Sequence, residues 1–391
     1  MPLAALLKKV GERAPGGRVF AFGGLAIGIL TLALYAASWR ELTHFPSEMA
    51  QARHGDVDAF IRAGELAISG EASRVYEDTF FTAPFSKPQS GLVFTYPPHA
   101  LMLAAPLGAL PYGLVRPLLM AATIAMFIAA MRWAGPRGAP SMLIAATSSA
   151  LFMTLYYMQV GVFTAIALAF GLGAAPRRPV LAGLAIGLLT AKPQYGLLAP
   201  FFLAATGCWR AFGVAALTAA VLIAASVSLF GAPLWSEYVE TLSGARTSFY
   251  GIGVWGSASA SQLALKLGAS TTIAGALQLA AIVAAAAASI LLARRIDFRT
   301  AAGATLILSL AAAPSAWTYD WAMLAIGLAV ISRAHPRWPI GVQALALFAW
   351  GAPYLMLMRV SAIAAPLSLL ALAIAVAFWL LRMDRPPDHA R

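Results

Sequence analysis

Apolar runs of about 18 to 22 residues recur along this chain from Phe20 to Leu381, and each can carry a helix across a hydrocarbon core about 30 Å thick at about 1.5 Å per residue. Of 391 residues, 61% are hydrophobic and 11% charged, where an ordinary soluble domain is about 25% charged. Lipid is therefore the main solvent. Ala, Leu and Gly fill the runs, as close helix packing in lipid requires. No polar stretch is long enough for a soluble domain, so the sequence predicts one all-α, polytopic membrane domain over residues 1–391.

The single Cys208 removes disulfides and cysteine metal sites, which need several thiols at defined spacing. His44, His54, His335 and His389 form no metal-ligand spacing, so neither metal nor cofactor is expected. The formal charge of +12 sits in short clusters between apolar runs. That is the pattern of cytoplasmic loops, and nucleic acid is not an expected partner.

Charge also sets the topology. Lys8, Lys9, Arg13 and Arg18 precede the first run, about Phe20 to Ser38, and should hold the N-terminus in the cytoplasm. A cleaved signal peptide is the alternative, since Ala36 and Ser38 make a small-residue site, but the run exceeds the usual h-region of about 7 to 15 residues, which favours an uncleaved anchor. Residues 39–98 then form a first outer, periplasmic loop with eight of the fifteen acidic residues and five basic ones. Basic clusters at Arg132/Arg137, Arg177/Arg178, Arg210, Arg294/Arg295/Arg299, Arg333/Arg337 and Arg382/Arg385 all become cytoplasmic under two conditions. Residues 97–110 must be a half-crossing or short tilted helix after Pro97-Pro98. Residues 179–207 must be two half-helices broken at Lys192-Pro193. Such breaks are tolerated only against protein or a water-filled cavity, and so mark sites. Further crossings are expected at about 210–231, 272–293, 300–316, 320–332, 338–357 and 360–381, with a second periplasmic loop at 232–271. Counting half-helices gives about 11 to 13 membrane segments.

An ionisable residue inside an apolar segment costs about 2.5 to 3.5 kcal/mol on insertion scales and needs a reason. Lys192, at the break in LLTAKPQYGLLAP, is a candidate phosphate-binding cation or a snorkelling interface lysine. Asp320 in APSAWTYDWAML, with Tyr319 beside it, either lines a site or belongs to an interfacial belt. In HGDVDAFIRAGELAISG, Phe60, Ile61, Leu66 and Ile68 give an amphipathic helix an apolar side suited to lying on the membrane. Asp56 and Asp58 head that helix as candidate general bases, with helix capping as the ordinary alternative. His99 follows the rigid prolines of FTYPPHA and is a candidate contact to phosphate or acceptor. No Walker-type loop, DxD-bearing soluble domain, GxSxG elbow or HExxH helix is present, so a sugar or energy source must arrive through the lipid phase.

Five segments in order, GDVDAFIRAGELAISGEASRVYE, FTYPPHALMLAAPLGALP, MQVGVFTAIALAFGL, GLLTAKPQYGLLAP and APSAWTYDW, resemble glycosyltransferase family 87, polyprenyl-phosphate-dependent enzymes of the GT-C superfamily. The resemblance implies a GT-C-like fold in a bacterial inner membrane, with the active site facing the periplasm under a helical first loop. It implies transfer of a hexose, mannose foremost, from a polyprenyl-phosphate donor to a lipid or glycan acceptor with inversion. The catalytic carboxylate maps to Asp56, four residues before Phe60. Lys192, His99, Tyr96, Gln159, Arg246, Tyr319, Asp320 and Asp58 map to substrate binding. The family's Gly-Gln pair stands here as Met158-Gln159, and its often His-rich late motif as Thr318-Tyr319-Asp320. A multi-pass transporter or flippase of envelope biogenesis is the competing class, since it also uses broken helices and a buried lysine. A non-catalytic assembly protein is a third.

Overall fold

The computed structural model describes residues 17–44, 57–85, 94–136, 139–248 and 256–383. Asp56 lies outside the described residues, as does the side chain of Arg246. The described secondary structure is helical, as a spanning chain requires when lipid offers no partner for a free backbone group. In chain order the helices are α1 (Arg18–Ala37), α2 (Trp39–Leu42), α3 (Val57–Ile68), α4 (Asp78–Thr82), α5 (Ala100–Gly108), α6 (Tyr112–Ala134), α7 (Ala139–Ala146), α8 (Ser149–Tyr156), α9 (Gly161–Ala174) and α10 (Pro179–Leu188). They continue with α11 (Ala199–Ala205), α12 (Trp209–Phe230), α13 (Pro233–Ser248), α14 (Ala260–Lys266), α15 (Thr271–Arg295), α16 (Phe298–Ala312), α17 (Ala322–Ala334), α18 (Ile340–Leu357) and α19 (Ala364–Arg382).

Six of these, α1, α6, α12, α15, α18 and α19, are long and apolar enough to cross a bilayer. The shorter helices fill the middle. Residues 300–312 of α16 and 322–332 of α17 are buried on every side, because Gly303 and Gly327 let the two backbones touch: a Cβ on Gly327 would lie 2.7 Å from the Gly303 carbonyl oxygen. By contrast α12 buries only Ala211 and Ser226 and turns Leu217, Val221 and Leu229 outward, as expected of a helix facing lipid. Helix α1 is tied into the bundle: Thr31 shares a hydroxyl hydrogen bond of 2.7 Å with Tyr354 of α18.

The region read from sequence as the first outer loop has a core of its own. Val57, Phe60, Ile61 and Leu66 of α3 pack with Val75, Phe81, Phe85, Phe94, Leu101, Ala104, Val115 and Leu234. This corrects the expectation that the apolar side of α3 lies on the membrane: α5 and the 72–85 segment cover Phe60, Ile61 and Leu66, and only Ile68 stays exposed. The α3–α5 crossing is backbone to backbone, since a Cβ on Gly64 would sit 2.2 Å from the Ala104 carbonyl oxygen and one on Gly108 2.2 Å from the Glu65 nitrogen. Helix α5 spans nine residues, about 13 Å and too short to cross, so the short helix expected at 97–110 belongs with the outer core. The second outer loop meets the first, with the Tyr76 and Tyr238 rings 6.0 Å apart.

Residues 179–207 form the broken unit expected of them. Helix α10 gives way to a 3-10 turn at Leu189–Ala191, a second at Pro193–Tyr195, and then α11. Gly187 lets α10 lie directly on α12, where an added Cβ would meet Thr218 Cβ at 2.4 Å.

Candidate functional site

The break follows from Lys192-Pro193. Proline has no N–H to donate and disfavours helical angles in the residue before it. Lys192 accordingly adopts φ −136°, ψ 68°. Its side chain, 5% exposed, turns to Asp320, with Nζ 2.8 Å from Oδ1. The Tyr195 hydroxyl donates to Asp320 Oδ2. Nζ also lies 5.1 Å from the Tyr195 ring centroid and 5.3 Å from that of Tyr319, within cation–π range. Asp320 is fully buried, and the ammonium and the phenol give its two carboxylate oxygens the partners that burial demands.

Three elements fix the segment carrying Asp320, and a ring stack within it adds to them. Thr154 of α8 donates to the Tyr319 carbonyl at 2.9 Å. The start of α9 presses against it at Gly161, where a Cβ would lie 2.4 Å from the same oxygen. Ala258 N donates to Ala316 O at 2.7 Å, and the Trp317 ring stacks on Tyr319 at 5.8 Å. Helix α17 runs from beside Asp320 to Arg333 in 13 residues, about 20 Å, so the Lys192–Asp320 pair and Arg333 lie at its opposite ends.

His99 lies at the mouth of the outer core, 2% exposed, with its ring stacked on Trp235 of α13 at 5.7 Å. Its ring nitrogens lie beside the Thr190 backbone without a well-formed hydrogen bond to it. Burial lowers its pKa, opposed in part by that Thr190 backbone contact at the helix break. The imidazole therefore faces the Thr190 corner of the break. Tyr96 ties the two regions together. Its ring packs on Phe60 at 4.6 Å, its carbonyl accepts from the Tyr76 hydroxyl at 2.7 Å, and it lies close enough to Tyr195 to interact electrostatically.

Gln159 is 5% exposed and accepts the Val160 N–H through Oε1 at 3.1 Å. Met158 before it has φ 49°, left-handed backbone that costs a residue with a Cβ about 1–2 kcal/mol and glycine nothing. A Gly-Gln pair at this place therefore has a backbone reason, and Met158 departs from it against a local strain.

Asp58 stands apart. It is 1% exposed, and Oδ2 receives Arg116 Nη2 of α6 at 2.7 Å while Oδ1 receives the Tyr112 hydroxyl. The carboxylate pins α3 to α6. The structure thus brings Lys192, Asp320, Tyr319, Tyr96 and His99 toward one corner, holds Gln159 at the start of α9 beside it, and gives Asp58 a holding contact with α6. The sequence-based set omits Tyr195, Trp235, Tyr112 and Arg116. Arg116 carried a readable signal, an arginine within an apolar helix. The other three are aromatics indistinguishable in sequence from interfacial packing.

The family model of glycosyltransferase family 87 matches residues 94–314, a span that includes Tyr96, His99, Gln159, Lys192 and Arg246 and ends before Tyr319 and Asp320. No curated protein and no solved structure matches the chain.

Proposed function

The chain belongs to glycosyltransferase family 87, whose model covers more than half of it, and we propose that this membrane glycosyltransferase moves a hexose, mannose foremost, from a polyprenyl-phosphate donor to a lipid or glycan acceptor with inversion. The observation that carries the reading is the polar corner at the helix break: a buried lysine and a buried histidine stacked on Trp235, next to the core whose helix α3 begins one residue after Asp56. A donor with a polyprenyl chain needs its phosphate held by such a corner while its tail stays in lipid.

In this reading Asp56 takes the proton of the acceptor hydroxyl as the oxygen attacks the anomeric carbon, and the bond to the phosphate oxygen breaks on the opposite face. Polyprenyl phosphate departs with the bonding electrons, and the sugar inverts. A phosphate leaves without a strong acid, so one carboxylate suffices, unlike glycoside hydrolysis with its pair. Lys192 Nζ has two donors beyond the one aimed at Asp320, and with the His99 ring it stabilises charge on the departing phosphate. Asp320 and Tyr195 act as positioning residues that keep Lys192 aimed. Arg246 adds charge from the second outer loop. The site faces the periplasm of a bacterial inner membrane, the side opposite the basic clusters.

The test is transfer from synthetic polyprenyl-phosphate mannose and polyprenyl-phosphate glucose, offered separately with a panel of lipid and glycan acceptors to the purified full chain. Consumption of the mannosyl donor with a product of inverted anomeric configuration supports the proposal. Retention of configuration, or transfer from a nucleotide sugar alone, overturns it.

A further inference from the structure

The end of the bundle opposite the Lys192–Asp320 pair concentrates positive charge that sugar transfer does not use. Helix α6 ends there at Trp133 and Ala134. Arg299 Nη2, from the start of α16, and Arg333 Nη1, from the end of α17, each donate to the Trp133 carbonyl oxygen at 3.1 Å. Two guanidiniums on one oxygen are immediate neighbours. Arg177, between α9 and α10, lies close enough to interact electrostatically with Arg299. Three helical hairpins thus deliver like charges to one spot.

Helix capping explains only part of this. The carbonyl end of a helix carries about half a negative charge, against two full positive ones. Asp297, the neighbouring carboxylate, caps α16 by accepting from Thr300 N at 2.9 Å and offsets only part of the charge on Arg299. Among the described residues no ion pair joins Arg177, Arg299 or Arg333 to a carboxylate. Beneath Arg299, at 5.7 Å, lies the Trp133 ring. It is wedged against α9, since a Cβ on Gly173 would be 3.0 Å from it, yet the residue is 46% exposed. A half-exposed indole beside three clustered guanidiniums and one carboxylate is suited to a ligand that is anionic at one end and apolar at the other.

We propose that Arg177, Arg299 and Arg333 bind the phosphate of an anionic phospholipid in the leaflet at the basic face, with Trp133 against its glycerol and upper acyl chain. Arginine matches phosphate through paired N–H donors, and the indole selects a phosphate attached to a lipid over free phosphate. The site is about 20 Å from the Lys192–Asp320 pair along α17, so it is separate from any donor phosphate bound there.

Native mass spectrometry of the full chain released from detergent micelles tests this, with phosphatidylglycerol or phosphatidylcholine added. Wild type should retain the anionic lipid in preference to the zwitterionic one. Arg177→Gln/Arg333→Gln should lower that retention about fivefold per charge removed, the equivalent of about 1 kcal/mol each. Arg177→Lys/Arg333→Lys should keep most of it, and Arg210→Gln should change nothing. Arg177 is exposed, so Arg177→Gln alone reads the effect if the double variant folds poorly. Equal retention in the Gln variants, or displacement of the lipid by inorganic phosphate, overturns the proposal.

Discussion

Lys192 Nζ lies 2.8 Å from Asp320 Oδ1, an ion pair across 128 residues of sequence and buried at both ends. It joins the broken helix unit to the segment between α16 and α17, the most deeply buried pair of the bundle. Each of the two buried groups is the other's partner.

Breaking that pair from one side strands a charge. Lys192→Met or Asp320→Leu should each destabilise by about 3–5 kcal/mol, while the two together should recover most of the loss. Thermal unfolding in detergent micelles measures this. If Lys192 stabilises the departing phosphate, the stable double variant still loses about 10²–10³ in kcat; full activity there would remove Lys192 from the chemistry.

Asp58 should behave as a holding residue. Asp58→Asn keeps the shape but loses the charge facing Arg116, and Arg116→Met strands the carboxylate, costing about 3–5 kcal/mol. Specific activity per folded Asp58→Asn molecule should stay within a few-fold of wild type. A loss of several hundredfold with an unchanged Tm would make Asp58 a reacting group.

At the α3–α5 crossing, Gly64→Ala places a methyl 2.2 Å from the Ala104 carbonyl oxygen, a backbone clash that no rotamer relieves. The helices must separate, at a cost of about 1–3 kcal/mol or more. A lowered Tm with raised KM would show that the outer core positions the site; an unchanged Tm would contradict the close crossing.

His99 gives stability a pH dependence. Burial lowers its pKa from the ordinary 6.5, so below about 6.5 the unfolded chain binds a proton that the folded one resists, and stability falls as pH falls. Above 6.5 the contribution is constant. His99→Phe, which keeps the stack on Trp235, should flatten Tm against pH between that value and the lower folded pKa. A slope unchanged by the substitution would mean that other groups cause it.

Much of the fold was legible because lipid leaves a chain few options. Run lengths located α1, α12, α15, α18 and α19, and the cost of an intramembrane charge singled out Lys192 and Asp320 separately. Their pairing was not legible, since nothing local links residues so far apart. Tyr195, three positions after Lys192, reads as one more interfacial aromatic until Asp320 is placed against it. For α3 the apolar periodicity was right and the partner wrong, because a 3.6-residue period reports that a face is buried without saying whether protein or lipid covers it. Met158 hid its strain, since the left-handed angle appears only in the backbone.

The most direct test of the account is single-turnover transfer from polyprenyl-phosphate mannose by Asp56→Asn beside wild type, with Tm measured on both. We expect an unchanged Tm and a rate lower by about 10²–10⁴, the range for loss of a general base. A folded Asp56→Asn enzyme that transfers at the wild-type rate would contradict the assignment of Asp56 and turn the search for the base to Asp320 and Asp58.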